Sequence, residues 1–154
     1  MSYIIDEDEF YIYEILQEKH LDESSRLLAN AFTNYNPLEV YSKTTYEQFY
    51  PYALALSKAV LDDHLSIVAI HKQTKEIHGL AQAGDAKKLA EQPFEEFEAF
   101  KDTIEVLDEL EQQFLKHYGE LKENSLVDIM LVGVRHDCSG KGRSSKHFPD
   151  ELII

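Results

Sequence analysis

The fold of this chain is decided by the stretch Leu126-Val-Asp-Ile-Met-Leu-Val-Gly-Val-Arg-His-Asp-Cys-Ser-Gly-Lys-Gly-Arg-Ser-Ser145. Its first part, 126–134, is almost continuously apolar and of strand length, which is typical of a central strand buried on both faces. The glycine- and serine-rich segment 138–145 follows and should open a helix. Glycines let backbone amides approach an anion closely, and the first amides of a helix carry positive partial charge. The stretch therefore predicts a phosphate-binding loop after a buried strand, with Lys141 and Arg143 adding positive charge.

Two common phosphate-binding motifs do not fit this loop. A P-loop has Gly, four residues, Gly, Lys and then Ser or Thr, but Arg135 stands five residues before Gly140, and Gly142 follows Lys141. The dinucleotide-binding pattern G-x-G-x-x-G fails at Ser145. On composition alone, a flexible turn that binds nothing remains the alternative interpretation.

Three further strands are predicted upstream of the loop. Residues 10–16 are rich in β-branched and aromatic side chains with partial alternation, as in a strand. Residues 65–70 and 77–83 are two apolar runs separated by a polar connection. We expect these two runs to pair as antiparallel neighbours.

Apolar residues at helical spacing predict three helices. The first ends at 34–37, the second includes 49–60, and the third is a long amphipathic helix over 93–118. We expect the phenylalanine-rich face of this third helix to be directed toward the core. The predicted N-terminal caps are Asp22 or Ser24 for the first helix, and Thr44 or Thr45 with Glu47 for the second.

Length, charge and cysteine content limit the number of domains, the partners and the cellular location that we expect for this chain. The 154 residues, 44% of them hydrophobic, suit a single domain over 1–154. A formal net charge of -14 disfavours nucleic acid and anionic lipid as partners. No apolar run approaches the roughly 20 residues of a membrane span, so we expect no membrane association and a cytoplasmic protein. Cys138 is the single cysteine, which excludes an internal disulfide, and we expect no metal site.

The order of strand, helices, hairpin, long helix, buried strand and glycine loop resembles the GNAT superfamily of N-acetyltransferases, over essentially the whole chain. The family's acetyl-CoA signature has Gln or Arg, two residues, Gly, one residue, and Gly or Ala. Residues 139–144 are in register with it, and Gly142 matches. Ser139 stands where Gln or Arg is usual, and Ser144 stands where Gly or Ala is usual.

This resemblance implies a fold, a co-substrate and the residues that bind it. The fold is α/β (α+β), with a mixed, mostly antiparallel central sheet flanked by helices, here lacking the final helices and strands. Acetyl-CoA is the implied co-substrate, whose pantetheine arm lies like an added strand beside Val132 and Val134. The implied pyrophosphate-binding residues are Ser139, Gly140, Lys141, Gly142, Arg143 and Ser144.

The N-terminal half is similar to the arylalkylamine acetyltransferase-like branch, in which a helix ends in Ala-Phe and an acidic residue precedes Pro-Leu. Here Ala31-Phe32 leads to Asn36-Pro37-Leu38. That acidic residue is the general base of the branch, and Asn36 cannot accept the proton. Glu39 and His136 are the substitute candidates, although each is also typical of an ordinary surface residue. The sequence shows no histidine that would activate Cys138.

A complete family member continues beyond the glycine loop with helices and strands, whereas this sequence ends ten residues after Ser144. Pro149 predicts that the helix after the loop is very short. We therefore expect a truncated domain whose strand 126–134 has an uncovered edge or face. Self-association or a partner chain would cover it.

Three functions remain open at this point. The leading hypothesis is acetyl transfer from acetyl-CoA to a small primary amine, which attacks the thioester directly. The second is a catalytically inactive CoA-binding or interaction module, indicated by Asn36, Ser139 and Ser144. The third is an α/β domain whose glycine loop binds nothing.

Overall fold

The computed structural model describes residues 3–94, 97 and 101–140. Within them, five strands form one antiparallel sheet whose spatial order follows the chain, so β1 and β5 lie at its two ends. This sheet, with helices flanking it, confirms the predicted α/β fold class. The strands are β1 (Ile4–Glu7), β2 (Tyr11–Ile15), β3 (Ile67–His71), β4 (Ile77–Asp85) and β5 (Val127–Val134).

The described residues also form five α-helices. They are α1 (Leu21–Tyr35), α2 (Pro37–Ser42), α3 (Tyr46–Ala59), α4 (Ala86–Ala90) and α5 (Lys101–Tyr118). Helix α1 packs against α3 and also against β4 and β5. The core between these elements contains Leu28, Phe49, Leu56, Val68 and Leu80, all buried. Burying a side chain of this size contributes about 1.5–3 kcal/mol, so this layer provides much of the stability.

Gly133 lets α1 approach β5 closely. A Cβ atom at this position would lie 2.8 Å from Leu28 Cδ2 and 3.2 Å from Leu27 Cδ2. Real Cβ atoms do not come that near to another carbon, so a larger residue would force the buried Leu28 side chain, or the helix that carries it, to move. The glycine therefore fixes the distance between α1 and the strand that leads into the predicted cofactor loop.

Of the two predicted helix caps, Thr45 is confirmed for α3 and those given for α1 are wrong. Helix α3 is capped by Thr45, whose hydroxyl accepts a hydrogen bond from Gln48 N while the Gln48 side chain accepts one from Thr45 N. Gln48 thus takes the place predicted for Glu47, because it is the third helical residue. Helix α1 continues a 3-10 turn at Glu18–His20, so neither Asp22 nor Ser24 is its cap.

Strand β1 was not predicted from the sequence. All four of its residues are exposed, so it has no buried face and no alternation that would reveal a strand. It pairs with β2 through backbone groups, with a register shift between Ile4 and Asp6. Asp8 forms the turn that follows, accepting hydrogen bonds from the backbone amides of Phe10 and Tyr11.

The helix over 93–118 was predicted to direct its phenylalanine-rich face toward the core, and that part of the prediction is wrong. The described helix α5, Lys101–Tyr118, has no buried residue, and its side chains at Val106, Leu107 and Leu110 are 45–56% exposed. Only the N-terminal end of this region reaches the core, where Phe94, Phe97 and Ile104 pack partly buried against it. Within the described chain, no helix is long and apolar enough to cross a membrane.

Candidate active site

Strand β5 lies at the end of the sheet and has one edge available. It pairs with β4 from Gly79–Val134 to Asp85–Val127, with a register shift between Gln82 and Ala83. Among the described residues, its other edge has no strand partner. Val132 is 40% exposed, and Val134 is half-buried. The two residues predicted to contact pantetheine therefore lie on a strand with a free edge, which can accept an extended ligand through backbone hydrogen bonds.

The start of the predicted phosphate loop has the backbone that the sequence favours. A 3-10 turn at His136–Cys138 follows β5, and the Ser139 amide and hydroxyl both donate to the carbonyl of His136. Gly140 has a φ of 76° and open space where a Cβ would stand, so glycine is required there for its backbone and not for space. The remaining predicted loop residues, Lys141, Gly142, Arg143 and Ser144, lie outside the described residues.

The two candidate bases lie in different surroundings. His136 is exposed at the end of β5, and its ring stacks on Tyr35 of α1 with a centroid distance of 4.1 Å and an interplanar angle of 5°. Glu39 lies in α2 and is only 2% exposed, so its interpretation as an ordinary surface residue was wrong. The exposed histidine, stacked on Tyr35, is the weaker candidate, because the described residues do not shield it from water.

Glu39 is held by a short, well-capped helix. The side chain of Asn36 accepts hydrogen bonds from the amides of Leu38 and Glu39, which begins α2 and uses the asparagine oxygen. Glu39 Oε1 accepts a hydrogen bond of 3.2 Å from the hydroxyl of Thr103 in α5. Glu39 Oε2 is buried and has no hydrogen-bond partner among the described residues. Such an oxygen is uncommon, because an unsatisfied buried polar atom costs about 1–3 kcal/mol.

Tyr52 of α3 is the aromatic centre of the same region. Its ring is 2% exposed and packs edge-to-face against Phe49, Phe94 and Phe97 at centroid distances of 5.7–5.9 Å. Burial, together with the carboxylates of Asp128 and Glu39, raises the pKa of Tyr52 to about 12. The phenol is therefore neutral at physiological pH and lies within the electrostatic reach of both acids.

Asp128 is a site residue that sequence reasoning missed. It is located on β5 and pairs with Gly84 of β4. Burial raises the pKa of its carboxyl group, because a low-dielectric environment disfavours the ionised form. The signal was present in the sequence as one acidic residue within the apolar run 126–134. A partly buried ionisable group within an apolar strand is a candidate for function.

Glu39, Tyr52, Thr103 and Asp128 are called the carboxylate site below. They come from α2, α3, α5 and β5, so the fold and not the local sequence brings them together. Glu39 Oε2 is a buried carboxylate oxygen without a hydrogen-bond partner among the described residues, and the rings of Phe94 and Phe97 pack against Tyr52. This arrangement suits the removal of a proton from a ligand that presents an ammonium group beside apolar carbon.

A cleft lies at the start of β5, beside Val127, and its acidic residues have a structural explanation. It has a volume of about 280 Å³, with two acidic residues, Asp63 and Asp85, in its lining. Asp63 pairs with Lys88 at 2.6 Å, and Asp85 caps α4 while it also accepts from the Asn124 amide. Across the described residues, no group of three or more His, Cys, Asp or Glu side chains is placed to hold a metal ion.

Cys138 does have a histidine neighbour, contrary to the interpretation from sequence. Its Sγ lies 3.3 Å from His78 Nδ1, although 60 positions separate the two residues. The pairing of β4 with β5 brings them together, which no local motif could show. Cys138 is buried, with 8% exposure.

Solved structures with the same fold were found by structural comparison. The C-terminal condensation domain of Ebony, in complex with beta-alanyl-dopamine, matches with a TM-score of 0.72 and 18% identity over 86% of this chain. The fold is shared. Arylalkylamine N-acetyltransferase 2 from Aedes aegypti matches with a TM-score of 0.64 and 22% identity over 90% of this chain. These similarities show a GNAT-like architecture, which was the fold predicted from the sequence.

The chain spans 62% of the length of the Ebony domain and 67% of the length of the mosquito acetyltransferase. No protein-family model matches the sequence, and no curated protein matches it either. At this level of identity the comparisons establish the architecture, and the chemistry has to be inferred from the chain's own side chains.

Proposed function

We propose that this protein is an acetyl-CoA-dependent N-acetyltransferase that acts on a small primary amine. The observation that carries the proposal is the buried Glu39 carboxylate, whose Oε2 has no hydrogen-bond partner among the described residues. A base that removes a proton from an ammonium ion needs a free oxygen in a site with little water. Glu39 provides it in a GNAT-like fold, close to the position where the related branch has its acidic residue.

The chain's own residues fit acetyl-CoA at the edge of β5. The free edge beside Val132 and Val134 offers backbone groups to the pantetheine arm. Ser139 and Gly140 begin the loop proposed to bind pyrophosphate, and 141–144 would complete it. When bound, acetyl-CoA supplies a thioester that a neutral amine can attack. The protein then has two tasks, which are to hold the amine near β5 and to remove its proton.

Glu39 performs the proton removal in this proposal. Its Oε1 is fixed by the hydroxyl of Thr103, which leaves Oε2 to accept the proton from the amine. Tyr52 and Asp128 lie in the same region, and burial raises the pKa of each. The apolar rings of Phe94 and Phe97 pack beside them.

These rings favour an amine that carries an aromatic or apolar group. The aromatic ring of a ligand could pack edge-to-face against these side chains in the same way as Phe94 and Phe97 pack against Tyr52. The name of the mosquito protein specifies arylalkylamines, and the Ebony domain was solved with beta-alanyl-dopamine, which also has an aromatic ring. We therefore take arylalkylamines as the first class of acceptor to test.

A CoA-binding or interaction module without catalysis is the alternative. It is favoured by Asn36, whose side chain is used as a helix cap where the related branch has its base. In this alternative, the free edge of β5 and the exposed apolar face of α5 would bind a partner chain or a second copy. Such a module would retain affinity for acetyl-CoA but would not acetylate any amine.

The experiment is an acetyl-transfer assay with 2-phenylethylamine and butylamine, with products separated by chromatography. We expect turnover that is greater for the aromatic amine. Glu39→Gln should lower kcat by about 10²–10⁴-fold, because this is the usual contribution of a general base. Binding of acetyl-CoA should be unchanged in this variant.

Glu47→Gln is the matched control, because it makes the same substitution at an exposed position of α3. It should retain native turnover. Equal activities for native protein and Glu39→Gln would eliminate Glu39 as the base. Tight cofactor binding without turnover of either amine would favour the inactive module.

A further inference from the structure

A cluster of polar side chains surrounds Cys138 at the other end of β5 from the cleft of Asp63 and Asp85. His78 is the centre of this cluster. Between Ala69–Gly79 and Ile70–Ile77 the register of β3 and β4 shifts, which leaves His78 as the additional residue of a bulge. A bulge redirects a side chain out of the regular alternation of its strand. Here the imidazole is 8% exposed.

Two hydrogen-bonding groups meet at one nitrogen of this ring. Tyr11 Oη lies 2.9 Å from His78 Nδ1, and Cys138 Sγ lies 3.3 Å from the same atom. The turn that holds the thiol is attached to His78 as well, because Arg135 N donates to the His78 carbonyl at 2.9 Å. The thiol is therefore positioned against the imidazole by the backbone.

The opposite nitrogen of His78 is next to a carboxylate. Nε2 lies 3.5 Å from Glu76 Oε2, and it is buried without a hydrogen bond of good geometry among the described residues. Glu76 is itself paired with Arg135 at 2.9 Å. A carboxylate beside Nε2 favours the tautomer with the proton on Nε2, which makes Nδ1 the acceptor. Glu76, His78 and Cys138 are thus arranged in space as an acid, a base and a nucleophile.

The charge states in the cluster agree with this assignment. Burial, followed by the positive charge of Arg135, lowers the pKa of His78, so the ring is neutral and able to accept a proton at physiological pH. Asp137 lies 3.4 Å from the sulfur, and its hydrogen bond with Arg135 lowers its pKa to about 2. Its Oδ1 accepts a hydrogen bond from the thiol, but a carboxylate of such low pKa is a far weaker base than an imidazole, so we assign the thiol proton to His78.

We propose that Cys138 is a nucleophilic thiol that forms a mixed disulfide with small disulfide molecules, with His78 as the proton acceptor. The thiol proton moves to His78 Nδ1 as the sulfur attacks one sulfur of the disulfide. The disulfide S–S bond breaks, and the departing thiolate takes the proton from His78. Cys138 is oxidised and the released thiol is reduced. The inference does not depend on the proposed acetyltransferase activity.

The test is the rate of reaction of the folded chain with 2-hydroxyethyl disulfide, followed by intact-protein mass spectrometry. Cys138 is the only cysteine in the sequence, so the adduct has one possible position, and Cys138→Ser should give none. We expect the folded chain to react faster than the same chain in urea, where the thiol is exposed but has no base. A slower reaction in the folded chain would overturn the proposal, whatever the behaviour of any variant.

Substitution of the histidines identifies the base. His78→Gln should slow the reaction by about 10- to 100-fold, the lower part of the range for general-base assistance. His71→Gln is the matched control, since this ring stacks on His78 with a centroid distance of 4.9 Å. It should react close to the native rate. Equal rates for the two variants, with native circular dichroism for both, would exclude His78 as the base.

Discussion

Single residues in this molecule act through the environment that the fold gives them. Glu39 is the clearest case, because an exposed glutamate in α2 would be an ordinary surface acid. The cap at Asn36 and the hydroxyl of Thr103 hold it in a buried position instead. Its chemistry therefore belongs to its surroundings, and so does that of His78 beside Cys138.

Gly133→Ala should destabilise the chain by about 1–3 kcal/mol, the usual cost of overfilling a packed core. The added methyl group would meet the buried Leu28 side chain at 2.8 Å and force that side chain or α1 to shift. Urea unfolding measures the change. Gly79→Ala is the control in the neighbouring strand, where the new Cβ would have ordinary contacts of 3.6 Å and longer. Equal effects of the two substitutions would contradict the close approach of α1.

His20 should make stability depend on pH near neutrality. It is 5% exposed, and burial, followed by the charge of Lys19, lowers its pKa. The unfolded chain therefore takes up a proton at a higher pH than the folded chain does. Stability should fall as pH decreases from about 7 through the ordinary value of about 6.5 toward the lowered one.

Urea unfolding between pH 7.5 and about 5.5 tests this, with His20→Gln as the comparison. The variant should show a weaker decline over that range. Some decline should remain, because the pKa of His78 is also lowered. A decline equal to that of the native chain would mean that His20 is not a source of the pH dependence.

At the scale of elements, α5 differs from the helix that the sequence indicates. Its apolar spacing predicts a helix correctly but cannot specify what covers the apolar face. Leu110→Gln should change the free energy of unfolding by less than about 0.5 kcal/mol, because Leu110 is 56% exposed. Ile104→Ala should cost more, since Ile104 packs against the core. A loss of about 2–5 kcal/mol for Leu110→Gln, as for a core leucine, would contradict the exposed position of α5.

The same limits of sequence information apply to the other elements. Strands β2 to β5 and helices α1 and α3 were predictable, because each has a buried face that its residue pattern reports. Strand β1 was not, because it buries no side chain. Asp128 and the contact of Cys138 with His78 depend on pairing between β4 and β5. Local patterns contain no information on such long-range pairing.

At the scale of the whole molecule, the sheet places two chemical regions along β5. The carboxylate site includes Asp128 near the start of the strand, and the turn at His136–Cys138 follows its end. Between them runs the edge of β5 that has no strand partner in the described part of the chain, with Val132 and Val134 along the strand. An extended ligand on this edge could have its anionic group at the turn and its reactive end toward Glu39. This geometry is the basis of the proposed acetyltransferase activity.

The most direct measurement is thermal unfolding of the purified chain with and without acetyl-CoA. A ligand at 100 times its dissociation constant stabilises the folded state by about 2.7 kcal/mol, so the account predicts a clear increase in Tm that depends on concentration. An unchanged Tm at millimolar acetyl-CoA, in a sample that unfolds cooperatively, would contradict the proposed cofactor site and with it the acetyltransferase assignment.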